Sequence, residues 1–202
     1  MSAINADLRH RKAVGGWAED ALSTRTAWPI APWNTWSNAA YVLVGIALGQ
    51  TAPVVAIALG YLGFASGWYH GKPAPIERTR DANRLDRSGM GAVFGALLAY
   101  GLGAPVPVQL VAAVVPAWIA ARIGLKQSMT LLMAQLLWAP VLLGFLVGSA
   151  WWTGASLLLF ALAYVAWHLD RARSRLVGRW GHALWHVLTA AAIGGLVLAL
   201  IP

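Results

Sequence analysis

Charged side chains are missing from four long stretches of this chain, residues 26–71, 88–121, 127–169 and 180–202, which run for 46, 34, 43 and 23 residues. A helix that crosses a bilayer needs about 20 apolar residues, with a range of about 17 to 25. The first three stretches therefore hold two helices each and the last holds one. Breakers divide the long stretches at Gly49-Gln50-Thr51-Ala52-Pro53, Gly101-Leu102-Gly103-Ala104-Pro105 and Gly148-Ser149-Ala150, where Gly and Pro mark tight turns. The pattern predicts helices over Asn34–Gln50, Ala52–His70, Leu85–Leu102, Pro105–Arg122, Gln127–Val147, Trp151–Asp170 and Gly181–Ile201. The expected fold is all-α: a polytopic membrane protein, a seven-transmembrane helix bundle spanning 34–202, preceded by a polar N-terminal segment over 1–33. That segment lacks the short apolar core of a signal peptide. No internal repeat and no second domain is visible.

Composition agrees with this pattern. Only 11% of the 202 residues are charged and 59% are hydrophobic, against about 25% charged in an ordinary soluble domain. A soluble chain of this size cannot hide so much apolar surface, and disorder is excluded for the same reason. There are no cysteines, so disulfides, thiolate catalysis and Cys-bound metals are out of reach. A metal here must use His, Asp or Glu.

Charge then sets an expected orientation. With seven spans, all 15 Lys and Arg fall on the side of the N-terminus and none on the other. Basic residues stay cytoplasmic, so the N-terminus is expected inside and the C-terminus outside, in a cell inner membrane. The net charge of +8 is then topology and attraction to anionic lipid. The membrane is the expected partner and nucleic acid is not.

Ionisable groups within spans are costly and are functional candidates by default. Four stand out, and the helix assignment puts them at one depth near the basic face: His70 ends the second helix, Asp86 begins the third, and His182 and His186 lie on the first turns of the seventh. A spacing of four puts His182 and His186 on one helical face, where two imidazoles can chelate one metal. His70 can be the third ligand of an open His₃ zinc site, with water in the fourth position. Ser66, four residues before His70, faces the same way. Asp86 supplies a carboxylate able to act as general base and then acid.

Blander readings of the same residues stay open. An H-x-x-x-H pair arises by chance or at a helix start, interfacial His hydrogen-bonds to headgroups, and an Asp at a helix start offsets the helix dipole. Haem is a competitor, although i, i+4 imidazoles cannot bind opposite faces of one iron. A retinal protein is disfavoured because the seventh helix holds no Lys. His168 reads as interfacial with a minor chance of supporting a ligand, His10 has no assigned role, the 12 Trp form an aromatic belt, and Gln135 reads as packing glue.

Four motifs resemble those of the alkaline ceramidases. Trp33-Asn34-Thr35-Trp36-Ser37-Asn38 resembles their W-N-T-x-S-N opening. Ser66 to His70 resembles S-x-x-x-H, Leu85-Asp86-Arg87-Ser88-Gly89-Met90 resembles L-D-E-x-x-M, and Gly181-His182-Ala183-Leu184-Trp185-His186 resembles G-H-x-x-W-H. They come in the family's order across almost the whole chain. The wider superfamily includes progestin and adiponectin receptors and haemolysin III-like proteins. The resemblance implies an intramembrane zinc hydrolase in which His70, His182 and His186 hold zinc. Asp86 is then the acid/base residue and Ser66 an oxyanion or water-positioning hydroxyl. The implied substrate is an N-acylated lipid of the bilayer, a ceramide cleaved at its amide to a sphingoid base and a fatty acid.

Two departures accompany the resemblance. The loop between His70 and Asp86 is longer and basic here. The animal enzymes also carry a calcium site, in a D-W-x-E-x-N run plus a Glu just before W-N-T. The corresponding positions are Gly16-Trp17-Ala18-Glu19-Asp20-Ala21 and Ala31, which leave Glu19, with Asp20 as a substitute. Calcium takes six to eight oxygens, so tight calcium binding is not expected. The rival reading is a non-enzymatic, receptor-like or haemolysin III-like membrane protein with a structural zinc on the same ligands.

Overall fold

The computed structural model describes residues 29, 31–71, 76–122, 141–172, 176–177 and 180–201. The described residues are all-helical, with no strand among them. Seven helices follow in order: α1 (Pro32–Trp36), α2 (Ala39–Leu48), α3 (Pro53–Gly71), α4 (Ile76–Gly101), α5 (Val106–Arg122), α6 (Ala150–Arg171) and α7 (Gly181–Ala199). Residues 141–147 are also helical. They are the end of the segment expected over Gln127–Val147, whose remainder, with Gln135, lies outside the described residues. So do Glu19, Asp20 and most of the N-terminal segment.

The helix expected over Asn34–Gln50 is broken at Ser37-Asn38, with α1 before the break and α2 after it. Side chains cause the break. Asn38 donates its side-chain amide to the Asn34 carbonyl at 2.6 Å, and the Ser37 hydroxyl donates to the same carbonyl at 3.3 Å. Short polar side chains compete in this way with the helical ladder. The backbone bonds tighten accordingly, with Ala40 N–H donating to Ser37 and Tyr41 N–H to Asn38, each at 3.1 Å.

The third expected helix starts nine residues early, at Ile76 rather than Leu85. Absence of charge locates the apolar layer and not the helix. The charged turns before Leu85 simply continue it, with an exposed Arg84–Asp81 ion pair at 3.2 Å on that surface. The longer, basic stretch between His70 and Asp86 is therefore partly helix.

Consecutive helices pack side by side, α2 on α3, α3 on α4, α4 on α5 and α6 on α7, and α7 closes against α1 and α2. Leu59, Val93, Leu97, Ile193, Leu196 and Val197 are fully enclosed between them. Gly95 sets the α4–α5 approach, because a Cβ there would run into the Ala112 carbonyl. The outer faces are strongly apolar, with Ile46 72% exposed, Leu146 71% and Trp151 76%.

Two of these helices, α6 and α7, are long and apolar enough to cross a membrane, and α5 is apolar but only 17 residues long. The other segments fall short for visible reasons: α1 and α2 divide one apolar run, α3 ends on Ser66, Trp68, Tyr69 and His70, and α4 opens with charged turns.

Candidate metal centre

Helix α3 ends at one end of the bundle and α7 begins there. This brings His70, 112 positions from His182, into contact with it. His70, His182 and His186 are all buried, and their ligand atoms lie within 4.8 Å of one another. The His70 and His182 Nε2 atoms are 3.0 Å apart. Ring centroids are separated by 4.4 Å for His182–His186, 4.7 Å for His70–His182 and 5.3 Å for His70–His186. In a tetrahedral zinc site with bonds of 2.0–2.1 Å, ligand nitrogens lie about 3.3 Å apart. Three buried His this close can hold a metal ion. They offer neutral nitrogen donors, as a borderline-soft dication prefers.

His186 is oriented by the break between α1 and α2. Its Nδ1 lies 2.8 Å from the Ser37 hydroxyl. The Ser37 hydroxyl also lies 3.3 Å from the Asn34 carbonyl, which the same imidazole reaches. With Nδ1 engaged in this way, Nε2 is the ring nitrogen available to coordinate a metal. Such a partner on the far nitrogen is the usual way a ligating imidazole is fixed. One turn further along α7, the Thr189 hydroxyl pairs with Tyr41 of α2 at 2.6 Å and reaches back to the Trp185 and His186 carbonyls.

Asp86 on α4 is half-buried and lies close to both His70 and the buried Ser66 hydroxyl. The five residues singled out by motif thus gather at one place: His70 and Ser66 from α3, Asp86 from α4, His182 and His186 from α7. His168 does not join them. It is exposed on α6 against Tyr164 and Trp167.

The start of α1 is tied to the same place, since the Ala31 N–H donates to the His70 carbonyl at 3.3 Å. Ala31 is wholly buried and has no side-chain oxygen to offer calcium.

A cavity of about 210 Å³ adjoins the cluster, lined by Tyr41, Phe94, Leu157, Phe160, Trp185 and Thr189 among others. Its wall is almost wholly apolar. Trp185 and Thr189 flank His186 on α7, and the Tyr41 ring is centred 5.9 Å from the His186 ring.

Two groups at the site were given no role from the sequence. One is Ser37. The other is Asp170, in the last turn of α6, fully buried, whose carboxylate accepts the His182 backbone N–H at 3.3 Å. A signal for Asp170 existed, because it directly borders the uncharged run 127–169. Ser37 stood within the W-N-T-x-S-N resemblance, which gave it no role. Comparison of the chain with protein-family models, curated proteins and solved structures gives no match.

Proposed function

We propose that this protein is a multi-pass membrane hydrolase that cleaves the amide bond of an N-acylated lipid, as the resemblance to alkaline ceramidases implies. The observation that carries the reading is the buried His70–His182–His186 cluster with the Ser66–Asp86 pair at its side. The apolar cavity next to it suits an acyl chain. The outer faces support a bilayer setting. Large apolar side chains such as Leu43, Ile46, Ile57, Phe64, Val114 and Leu158 point outwards, and so much exposed apolar surface is unusual in a soluble monomer. In this reading seven segments cross the membrane, counting the one that ends at 147, with the basic end cytoplasmic.

His70, His182 and His186 would hold zinc. Zinc in such a site acts as a Lewis acid and lowers the pKa of water towards about 7. The chain's own residues move the protons. Asp86 takes one from the attacking water and gives it to the amide nitrogen as the C–N bond breaks, so fatty acid and amine leave with no net proton change at the carboxylate. Ser66 holds Asp86 in place beforehand by giving it a hydrogen bond. Once Asp86 is protonated it no longer needs that bond. The Ser66 hydroxyl is then released to donate to the developing oxyanion.

A carboxylate and a hydroxyl beside the three His favour this reading over a structural zinc in a receptor-like protein, since proton transfer needs them and metal holding does not. The test is metal analysis of the purified protein together with hydrolysis of N-acyl lipids, ceramides first. Zinc near one per chain with turnover supports the proposal. Zinc without turnover on any N-acyl lipid supports the structural alternative.

A further inference from the structure

The helix that carries two of the three clustered His begins without a cap of its own. Trp180 stands at the N-cap position of α7 and makes no side-chain hydrogen bond to the helix. The first-turn amides of a helix have no intrahelical partner, and an N-cap oxygen ordinarily accepts from the second or third of them. His182 is the second residue of α7. Its amide is taken by Asp170, which belongs to a different helix.

Asp170 is fully enclosed, in a chain with only seven acidic residues. Burying a carboxylate is expensive unless it is paired or hydrogen-bonded, so the fold keeps it there through specific contacts. Gly181 makes the approach possible. A Cβ on Gly181 would sit 2.6 Å from the Asp170 Cβ and 2.9 Å from the Ala166 carbonyl oxygen. Any larger residue at 181 must push the start of α7 away from α6. The carboxylate also lies at the positive end of the α7 dipole, where negative charge is favoured.

We infer that Asp170 is a positioning residue for the metal centre: it fixes the His182 backbone against α6, and through it the place of the His182 ring opposite His70. The inference rests on the proposed metal reading of the three His. In that reading it completes a pair of supports. Ser37 orients His186 through its ring nitrogen, and Asp170 locates His182 through its main chain. Without Asp170 the first turn of α7 has an orphan amide and is free to fray. His182 is the ligand on that turn, whereas His186 lies one turn further in, held by Ser37 and close to the Tyr41–Thr189 bond.

The experiment titrates Co²⁺ into metal-stripped full-length protein in detergent, follows the visible spectrum of tetrahedral Co²⁺, and obtains the zinc affinity by competition. Thermal unfolding is recorded on the same samples. Asp170→Ala should weaken metal binding by about tenfold to a hundredfold, as loss of a support behind a ligand does. Asp170→Asn keeps an oxygen that accepts the His182 amide and should stay close to the parent protein. Gly181→Ala breaks the same seat from the other side and should weaken binding in the same direction; if Asp170→Ala does not fold, Gly181→Ala with Asp170→Asn decides. A lowered melting temperature with unchanged metal affinity in Asp170→Ala or Gly181→Ala overturns the inference and leaves the metal centre standing. A parent protein that takes up neither Co²⁺ nor zinc overturns both.

Discussion

His186 Nδ1 and the Ser37 hydroxyl meet at 2.8 Å across 149 positions of sequence, and the meeting depends on a break in the first apolar helix. Ser37 sits in the turn between α1 and α2, with its hydroxyl also 3.3 Å from the Asn34 carbonyl. The same turn therefore ends one helix and engages a buried imidazole on another.

Replacing Ser37 by Ala removes the hydroxyl partner of His186 Nδ1 and loosens the ring. Metal affinity should fall by about tenfold to a hundredfold, with helix content unchanged. Ser37→Thr keeps the hydroxyl and should restore much of the loss. Zinc competition titrations on the two variants and the parent check this.

The sequence made parts of this centre readable and hid others. The His182–His186 pair is a local spacing on one helix, so it shows in the sequence directly. His70 and Asp86 became candidates because counting the helices put them at the same end. The W-N-T-x-S-N resemblance includes Ser37, but its role stayed hidden because no Gly or Pro marks the break at 37–38. The break comes from side chains competing for one carbonyl. Asp170 read as an ordinary helix boundary because its partner is a backbone amide, which carries no residue signature. The early start of α4 was missed because uncharged runs report apolar depth, whereas a helix continues through charged turns beyond it.

The cavity beside His186 should set the acyl length that the protein accepts. Leu157→Trp adds bulk to its wall and should lower turnover of long-chain N-acyl lipids far more than that of short-chain ones. The loss should appear chiefly in kcat/KM, with metal content unchanged. A series of substrates differing only in acyl length measures it. Equal losses across the series would place the chain elsewhere.

Gly95 lets α4 and α5 touch backbone to backbone. Gly95→Leu forces them apart, and overpacking of this kind costs about 1–3 kcal/mol or more. Thermal unfolding in detergent should show a clear drop in melting temperature. Leu at Gly154, where a Cβ meets nothing within 4 Å, serves as the control and should change it little.

Orientation is testable without any assay of activity. In the proposed seven-span topology all 15 basic residues lie on the N-terminal side, so a reporter fused after Pro202 should be found outside the cytoplasm. A cytoplasmic reporter would mean an even number of crossings, or an N-terminus on the outer side.

The most direct test of the proposed hydrolase is Asp86→Asn, with metal content and N-acyl-lipid turnover measured on the same purified sample. Asparagine keeps the size of the side chain and can still hydrogen-bond with Ser66, but it cannot carry the proton from water to the amide nitrogen. Three His suffice to hold the metal. The variant should therefore retain about one zinc per chain and lose turnover by about 10² to 10⁴-fold, equivalent to about 3 to 5 kcal/mol. Turnover close to that of the parent protein, or zinc lost together with the carboxylate, would contradict the role given to Asp86 and with it the proposed reaction.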